Sequence, residues 1–174
     1  ARSQLLLEAA RRAGARLVHI GVSNAEAGRN LGYYRGKADV EAAIRATSES
    51  YAIVRPTLIV GPSDVLTNNI AWFLRRFPVF PIPGGGHYRL QPVTLRDVGR
   101  IVVDAMEADE KVEVDAAGAE VFTFAQYVGL VAAACVVRRS IVPVRRNLAL
   151  AGLRFLEPLL RDIVLTREEL LGLE

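Results

Sequence analysis

Two short apolar runs, RLVHI (16–20) and YAIVRP (51–56), stand on either side of a polar loop and one amphipathic segment, and this arrangement restricts the chain more than any other feature. Each run is too short for a helix, and its near-continuous apolar character suits a strand covered on both faces. Between them, Gly21 to Gly32 reads as a loop. The following segment carries an inward stripe at Val40, Ala43, Ile44 and Thr47, the i, i+3, i+4, i+7 spacing of a helix. Strand, helix, strand is a crossover unit, so the two strands should be parallel.

The flanking sequence continues the alternation. Residues 3–13 read as a helix with Leu6, Ala9, Ala10 and Ala13 inward and Gly14 as its stop. Ser63 or Asp64 can cap a helix over 65–77, and PVFPIPGGGHY (78–88) reads as a Pro/Gly-rich loop. RLQPV (89–93) is short and extended. Thr94-Leu-Arg-Asp97 is a capping box opening a helix with Val98, Ile101, Val102 and Ala105 inward, and Thr123-Phe-Ala-Gln126 is another, for a helix through about residue 136. KVEVDAAG (111–118) and SIVPV (140–144) read as strands. The remainder reads as two helical pieces parted near Pro158, the last capped at Thr166. The fold class is therefore α/β, with 1–62 and 63–174 as two regions of one compact unit.

Length and composition narrow the function. A chain of 174 residues, 51% hydrophobic and 24% charged, can bury a core. The net charge of +3 suits anionic ligands or a membrane surface, but no concentrated basic block of the nucleic-acid kind is present. The single cysteine, Cys135, lies in the apolar run VAAACVV, reads as core, and excludes an internal disulfide and any multi-Cys metal site. It fits a reducing compartment, and the cytoplasm is the expected location. No signal peptide is visible, and charges interrupt the most apolar C-terminal run. His19, inside an apolar strand, reads as a satisfied core histidine.

Tyr33 and Lys37 stand four residues apart in GYYRGKADVEAAI (32–44). On a helix both project from one face, a single turn apart. A Lys ammonium beside a phenol favours the phenolate, and such a Tyr can pass a proton to or from a hydroxyl or carbonyl. With five Tyr and only two Lys in the chain, this spacing is expected by chance roughly 0.06 times. A solvated helix turn is the plain alternative.

In these surroundings the pair resembles the C-terminal half of an extended or atypical short-chain dehydrogenase/reductase, of the NAD-dependent epimerase/dehydratase-like and NmrA-like kinds. The resemblance runs through VHIGVSNA (18–25), YYRGKADVE (33–41), YAIVRPTLIVGPSD (51–64), NNIAWFLRRFPVFPIPGGGHYRLQPV (68–93) and the D-V of TLRDVGRI (94–101). The long middle run and LTREELLGL (165–173) are similar to bacterial NAD(P)-binding proteins related to the complex I 39-kDa subunit. It implies the C-terminal part of a Rossmann-type, doubly wound parallel sheet plus a small α/β substrate-side region. It further implies Tyr33 as acid/base, Lys37 holding the nicotinamide ribose, and Ser23 polarising the substrate, although a turn Ser beside Asn24 is the alternative. Pro56 and Thr57 would lie beside the nicotinamide carboxamide of NAD or NADP. His87, Tyr88 and Arg89 would line the substrate side. Asp97 is most simply a helix cap.

No Gly-rich dinucleotide turn of the form G-x-G-x-x-G or G-x-x-G-x-x-G occurs in these residues. The chain resembles such a protein from the helix before the fifth strand onward, with the Gly-rich half, roughly 100 residues or more, absent. Three expectations follow. The chain alone binds NAD(P) weakly, it is inactive alone, and residues 16–20 present an unpaired sheet edge that invites self-association or a partner. The intact parent would turn over a small-molecule substrate without metal or nucleic acid. The alternative is a non-catalytic NAD(P)H-sensing or complex-assembly protein that contacts protein partners or a membrane surface.

Overall fold

A computed structural model describes residues 2–144. The helical pieces expected around Pro158 and Thr166 lie outside them. The chain divides into two compact units, one holding residues up to Ile59 together with Pro92–Ala119, the other Val60–Gln91 and residues from Glu120.

The first unit contains α1 (Arg2–Arg12), β1 (Leu17–Ile20), α2 (Gly32–Thr47), β2 (Tyr51–Pro56) and β3 (Leu58–Val60), whose last residue passes into the second unit. Strands β1 and β2 pair in parallel, Leu17 opposite Tyr51 and Ile20 opposite Val54, with α2 as the crossover. The sequence pattern predicted this arrangement. Strand β2 is central: its Ala52, Ile53 and Val54 are fully buried. Burying each large aliphatic contributes about 1.5–3 kcal/mol, so the strand tolerates no polar interruption until Arg55.

The second unit opens with α3 (Val65–Arg76), β4 (Val79–Pro83), a tight turn at Gly84–Gly86 and β5 (Arg89–Leu90). The chain then returns to the first unit for β6 (Pro92–Thr94), which pairs with β3, α4 (Leu95–Glu107) and β7 (Val112–Ala116). Strand β7 completes a parallel sheet of order β1-β2-β7. The second unit closes with β8 (Phe122–Thr123), α5 (Phe124–Ala134) and β9 (Ser140–Val144).

In the first unit the sheet is covered on both faces. One core holds Ala52, Val54, Val93, Val98, Ala105 and Ala116, with Ile101 and Val102 of α4 packed against it, as the stripe predicted. The other holds Leu7, Ile44, Tyr51 and Ile53. Arg16 locks the strand entry: its guanidinium donates to the carbonyls of Ala105 (2.9 Å) and Glu110 (2.7 Å) and to the Ser50 hydroxyl (2.9 Å).

Several expectations need correction. Helix α1 buries Leu7 rather than the face of Leu6, Ala9, Ala10 and Ala13; Leu5 and Leu6 are 72% and 67% exposed. The reason is that Leu7 alone reaches the cluster of Ile44 and Ile53. Strand β1 is only half-buried, because among the described residues it pairs with β2 alone and forms the sheet's outer edge. Residues 79–83, read as loop, form a strand paired in parallel with β9. At Thr94 the cap is not reciprocal. Asp97 N–H donates to Thr94 Oγ1 (3.1 Å), and the Asp97 carboxylate takes the Thr94 hydroxyl (2.6 Å). Thr123 and Gln126 do form the full capping box, and Asp64 caps α3.

Candidate functional site

Helix α2 begins at Gly32 with Leu31 as an N-cap that makes no side-chain bond. Tyr33 and Tyr34 follow, their rings edge-on at 5.4 Å. Tyr34 lies against Gly28, where a β-carbon would come 2.7 Å from the Tyr34 ring. This close approach ties the 21–31 loop to the first turn of α2. Tyr33 is 54% exposed.

One turn on, the Lys37 ammonium stands 5.9 Å over the Tyr33 ring and donates to the Ile20 carbonyl at 3.1 Å. The pair therefore sits at the carboxyl end of a parallel strand, where open α/β sheets place their ligands. The next loop residues extend this end. Gly21 N–H donates to the Val54 carbonyl (2.8 Å) and Ser23 N–H to the Pro56 carbonyl (3.1 Å). Thr57 N–H continues to the Ala116 carbonyl (3.1 Å). Thus Tyr33, Lys37, Ser23, Pro56 and Thr57 all lie along the carboxyl ends of β1 and β2. Pro56 is buried, while Ser23 and Thr57 are half-buried. Asn24 takes φ +58, a left-handed conformation Asn tolerates.

His87, Tyr88 and Arg89 belong to the second unit. Tyr88 stacks on Phe124 with ring centroids 5.0 Å apart, its carbonyl accepts the Phe124 N–H (2.9 Å), and Arg89 pairs with Thr123. His87 and Arg89 are exposed, whereas Tyr88 is partly committed to packing.

A cluster of charges behind α2 was not predicted. Glu41, one turn beyond Lys37, is 3% exposed and accepts from Arg55 (2.9 Å) and Arg45 (3.2 Å). Both arginines also bind Glu113 on β7, Arg45 at 2.7 and 2.8 Å. Arg55 was the available signal: a guanidinium in the buried run YAIVRP has to be paired, and Glu41 is the carboxylate that the helix turns inward. The buried stripe of α2 accordingly runs Ala38, Glu41, Ile44, and Thr47 is exposed. His19 faces the same cluster, but its Nε2 is buried without a hydrogen-bond partner among the described residues, so there it is not the satisfied histidine expected. Burial, and then the Lys37 charge, lower its pKa.

Hydrogen bonds from Arg45, opposed by burial and reinforced by Arg55, hold the Glu113 carboxyl at about 2 instead of 4.5. A carboxyl depressed on folding adds stability above its unfolded pKa and loses it as pH falls. The loss should therefore fall between about pH 5 and 2. Its full size is discounted for a side chain 30% exposed, leaving about 2 kcal/mol. Denaturant titrations at pH 7 and pH 3 should show somewhat more than half of this drop in the wild type and a smaller one in Glu113→Gln. Equal drops would assign the acid sensitivity elsewhere.

Among the described residues, no three His, Cys, Asp or Glu side chains converge as a metal site, and no helix is long and apolar enough to cross a membrane.

Comparison with known proteins defines the fold. The chain superimposes on the UDP-glucose 4-epimerase of Thermotoga maritima, solved with UDP-glucose, with a TM-score of 0.68 and 21% identity. It matches the dTDP-4-dehydrorhamnose reductase of Bacillus anthracis, solved with NADP, at 0.72 and 10% identity. It matches the dTDP-glucose 4,6-dehydratase of the same organism, solved with NAD, at 0.71 and 15%. The fold is that of the nucleotide-sugar epimerases, reductases and dehydratases. These three alignments cover 83%, 84% and 82% of this chain but only 56%, 57% and 54% of the solved ones. The chain thus spans about half the length of the Rossmann-type proteins it matches.

In sequence, it is 32% identical over 75 residues to the mitochondrial NADH dehydrogenase [ubiquinone] 1 alpha subcomplex subunit 9 of Arabidopsis thaliana. That alignment covers 43% of this chain and 19% of the relative. No family model matches the chain.

Proposed function

We propose that this chain is the proton-transfer portion of an NAD(P)-dependent oxidoreductase of the epimerase/dehydratase kind, acting on a nucleotide-linked sugar or similar hydroxyl/carbonyl substrate. The observation that carries the proposal is the Lys37 ammonium, held by the Ile20 carbonyl and poised over the exposed Tyr33 ring at the carboxyl edge of a parallel sheet. Tyr33 gives its hydroxyl proton to a substrate carbonyl oxygen, or takes one from a substrate hydroxyl. Lys37 places positive charge where the phenolate forms. An ammonium has three N–H donors, so the bond to Ile20 leaves others for the hydroxyls of a ribose. Tyr33 and Lys37 thus fit the nicotinamide end of NAD or NADP, with Pro56 and Thr57 beside it. When bound, that cofactor supplies or takes up hydride. Ser23, next to Pro56, orients the substrate oxygen. Cys135, half-buried at the end of α5, suits a reducing compartment, and we place the protein in the cytoplasm.

The likeness to a complex I subunit favours a second reading, in which the same fold senses a dinucleotide or supports assembly without turnover. Calorimetric titration of the full-length protein with NADH and NADPH, beside Lys37→Ala, addresses the shared step. Loss of one charged hydrogen bond should weaken binding roughly 10-fold or more. Unchanged affinity would remove Lys37 from the site. Tight binding with no turnover of any nucleotide sugar, in a protein indifferent to changes at Tyr33, would leave the second reading standing.

A further inference from the structure

We infer that Glu41 is the positioning residue of the Tyr33–Lys37 pair: its buried carboxylate sets where α2 stands over the end of β1, and hence where the Lys37 ammonium arrives. This role stands on contacts alone and deepens the function proposed above only in so far as Lys37 acts there.

Glu41 lies one helical turn beyond Lys37 on the inward stripe, as near to fully buried as any charged group described. One oxygen, Oε2, is fixed from two sides. Arg55 reaches it from β2 at 2.9 Å, and Arg45 from α2 itself at 3.2 Å. The other, Oε1, has no hydrogen-bond partner among the described residues. A buried acceptor left open is costly and calls for a reason. The reason is its neighbour. Oε1 rests on Gly21, so closely that any β-carbon there would overlap it. Gly21 is the residue directly after Ile20, whose carbonyl receives Lys37, and its own N–H is tied to the Val54 carbonyl of β2.

The chain of contacts is therefore closed. Arg55 sets the height of Glu41 over β2, Glu41 seats on Gly21, and Lys37, on the same helix, finds the carbonyl one residue upstream. The glycine is required because a carboxylate needs the space. Arg45 contributes from the rim, 37% exposed, and its loss should leave the seat intact.

The chain has only two lysines, Lys37 and Lys111, so lysine-labelled protein gives two ε-methylene signals, assigned with Lys111→Arg. In the wild type the Lys37 signal should show a cross-peak to the Tyr33 ring. Glu41→Ala and Gly21→Ala should each move the Lys37 signal and abolish the cross-peak, and Glu41→Gln, which keeps the volume, should move it less. Arg45→Gln should leave both unchanged. Should the alanine variants fail to fold, Glu41→Gln decides. An unmoved Lys37 in folded Glu41→Gln or Glu41→Ala overturns the inference, as does an equal displacement in Arg45→Gln. Dinucleotide binding does not enter this readout. A Lys37 that follows Glu41, beside a full-length protein with no affinity for NAD(P)H, would refute the proposed function and leave Glu41's role in place.

Discussion

Tyr33→Phe in the full-length protein is expected to lower turnover of a nucleotide-sugar substrate by about 10²–10⁴-fold, the usual contribution of a positioned acid/base. The substitution removes one hydroxyl and little else. Tyr33 is more than half exposed, and its ring contacts are the Tyr34 edge and the Lys37 ammonium, both of which a phenyl ring retains. The thermal midpoint and the affinity for NAD(P)H should therefore stay close to wild type while kcat falls. This pattern separates proton transfer from binding. A variant that turns over substrate as fast as the wild type would end the claim that Tyr33 moves a proton. A fall in kcat matched by a fall in stability would show a structural role instead.

Gly118→Ala should cost more than about 3 kcal/mol, a large share of the about 5–15 kcal/mol of a whole domain. Gly118 follows β7, and its α-carbon faces the carbonyl of Pro92 at the start of β6. A β-carbon would overlap that oxygen and stand 3.0 Å from the carbonyl carbon. The obstacle is backbone, so no side chain can swing aside. The same residue change has the opposite sign elsewhere. Gly99 in α4 and Gly129 in α5 face nothing within 4 Å, and alanine there should stabilise by up to about 1 kcal/mol. Urea midpoints of the three variants test both signs together. A mild Gly118→Ala would mean that residue 118 is free to move away from the start of β6.

What could be read in the sequence depended on how far each signal reaches. YAIVRP declared itself a central strand because both of its faces are buried, and every residue before Arg55 had to be apolar. The inward face of α4 was legible from its spacing, and the starts of α4 and α5 from their caps. Strand β4 was not, because its Pro-rich residues pair with β9, about sixty positions on, and no local pattern reports so distant a neighbour. Helix α1 misled for a related reason. Three consecutive leucines offer several possible faces, and only the position of Ile44 and Ile53 selects Leu7. At the site, the spacing of Tyr33 and Lys37 was visible, and so was Arg55. The partner that neutralises Arg55 was hidden in a helix whose periodicity had been assigned to Val40, Ala43, Ile44 and Thr47. Glu41 lies on the same turn, but a pattern built on apolar residues passes over an inward carboxylate.

The bond from Lys37 to Ile20 has a bearing on assembly as well as chemistry. Leu17 and Gly21 direct their N–H groups to the β2 side, so by the two-residue period of a strand Val18 and Ile20 present their backbone groups to the open side. One of the acceptors on that open side is the Ile20 carbonyl, and Lys37 already occupies it. Any strand laid along β1 must either forgo that carbonyl or displace the lysine. Among the described residues a single ammonium thus closes this border at its carboxyl end, and a further strand can share the edge with the lysine only by ending short of Ile20.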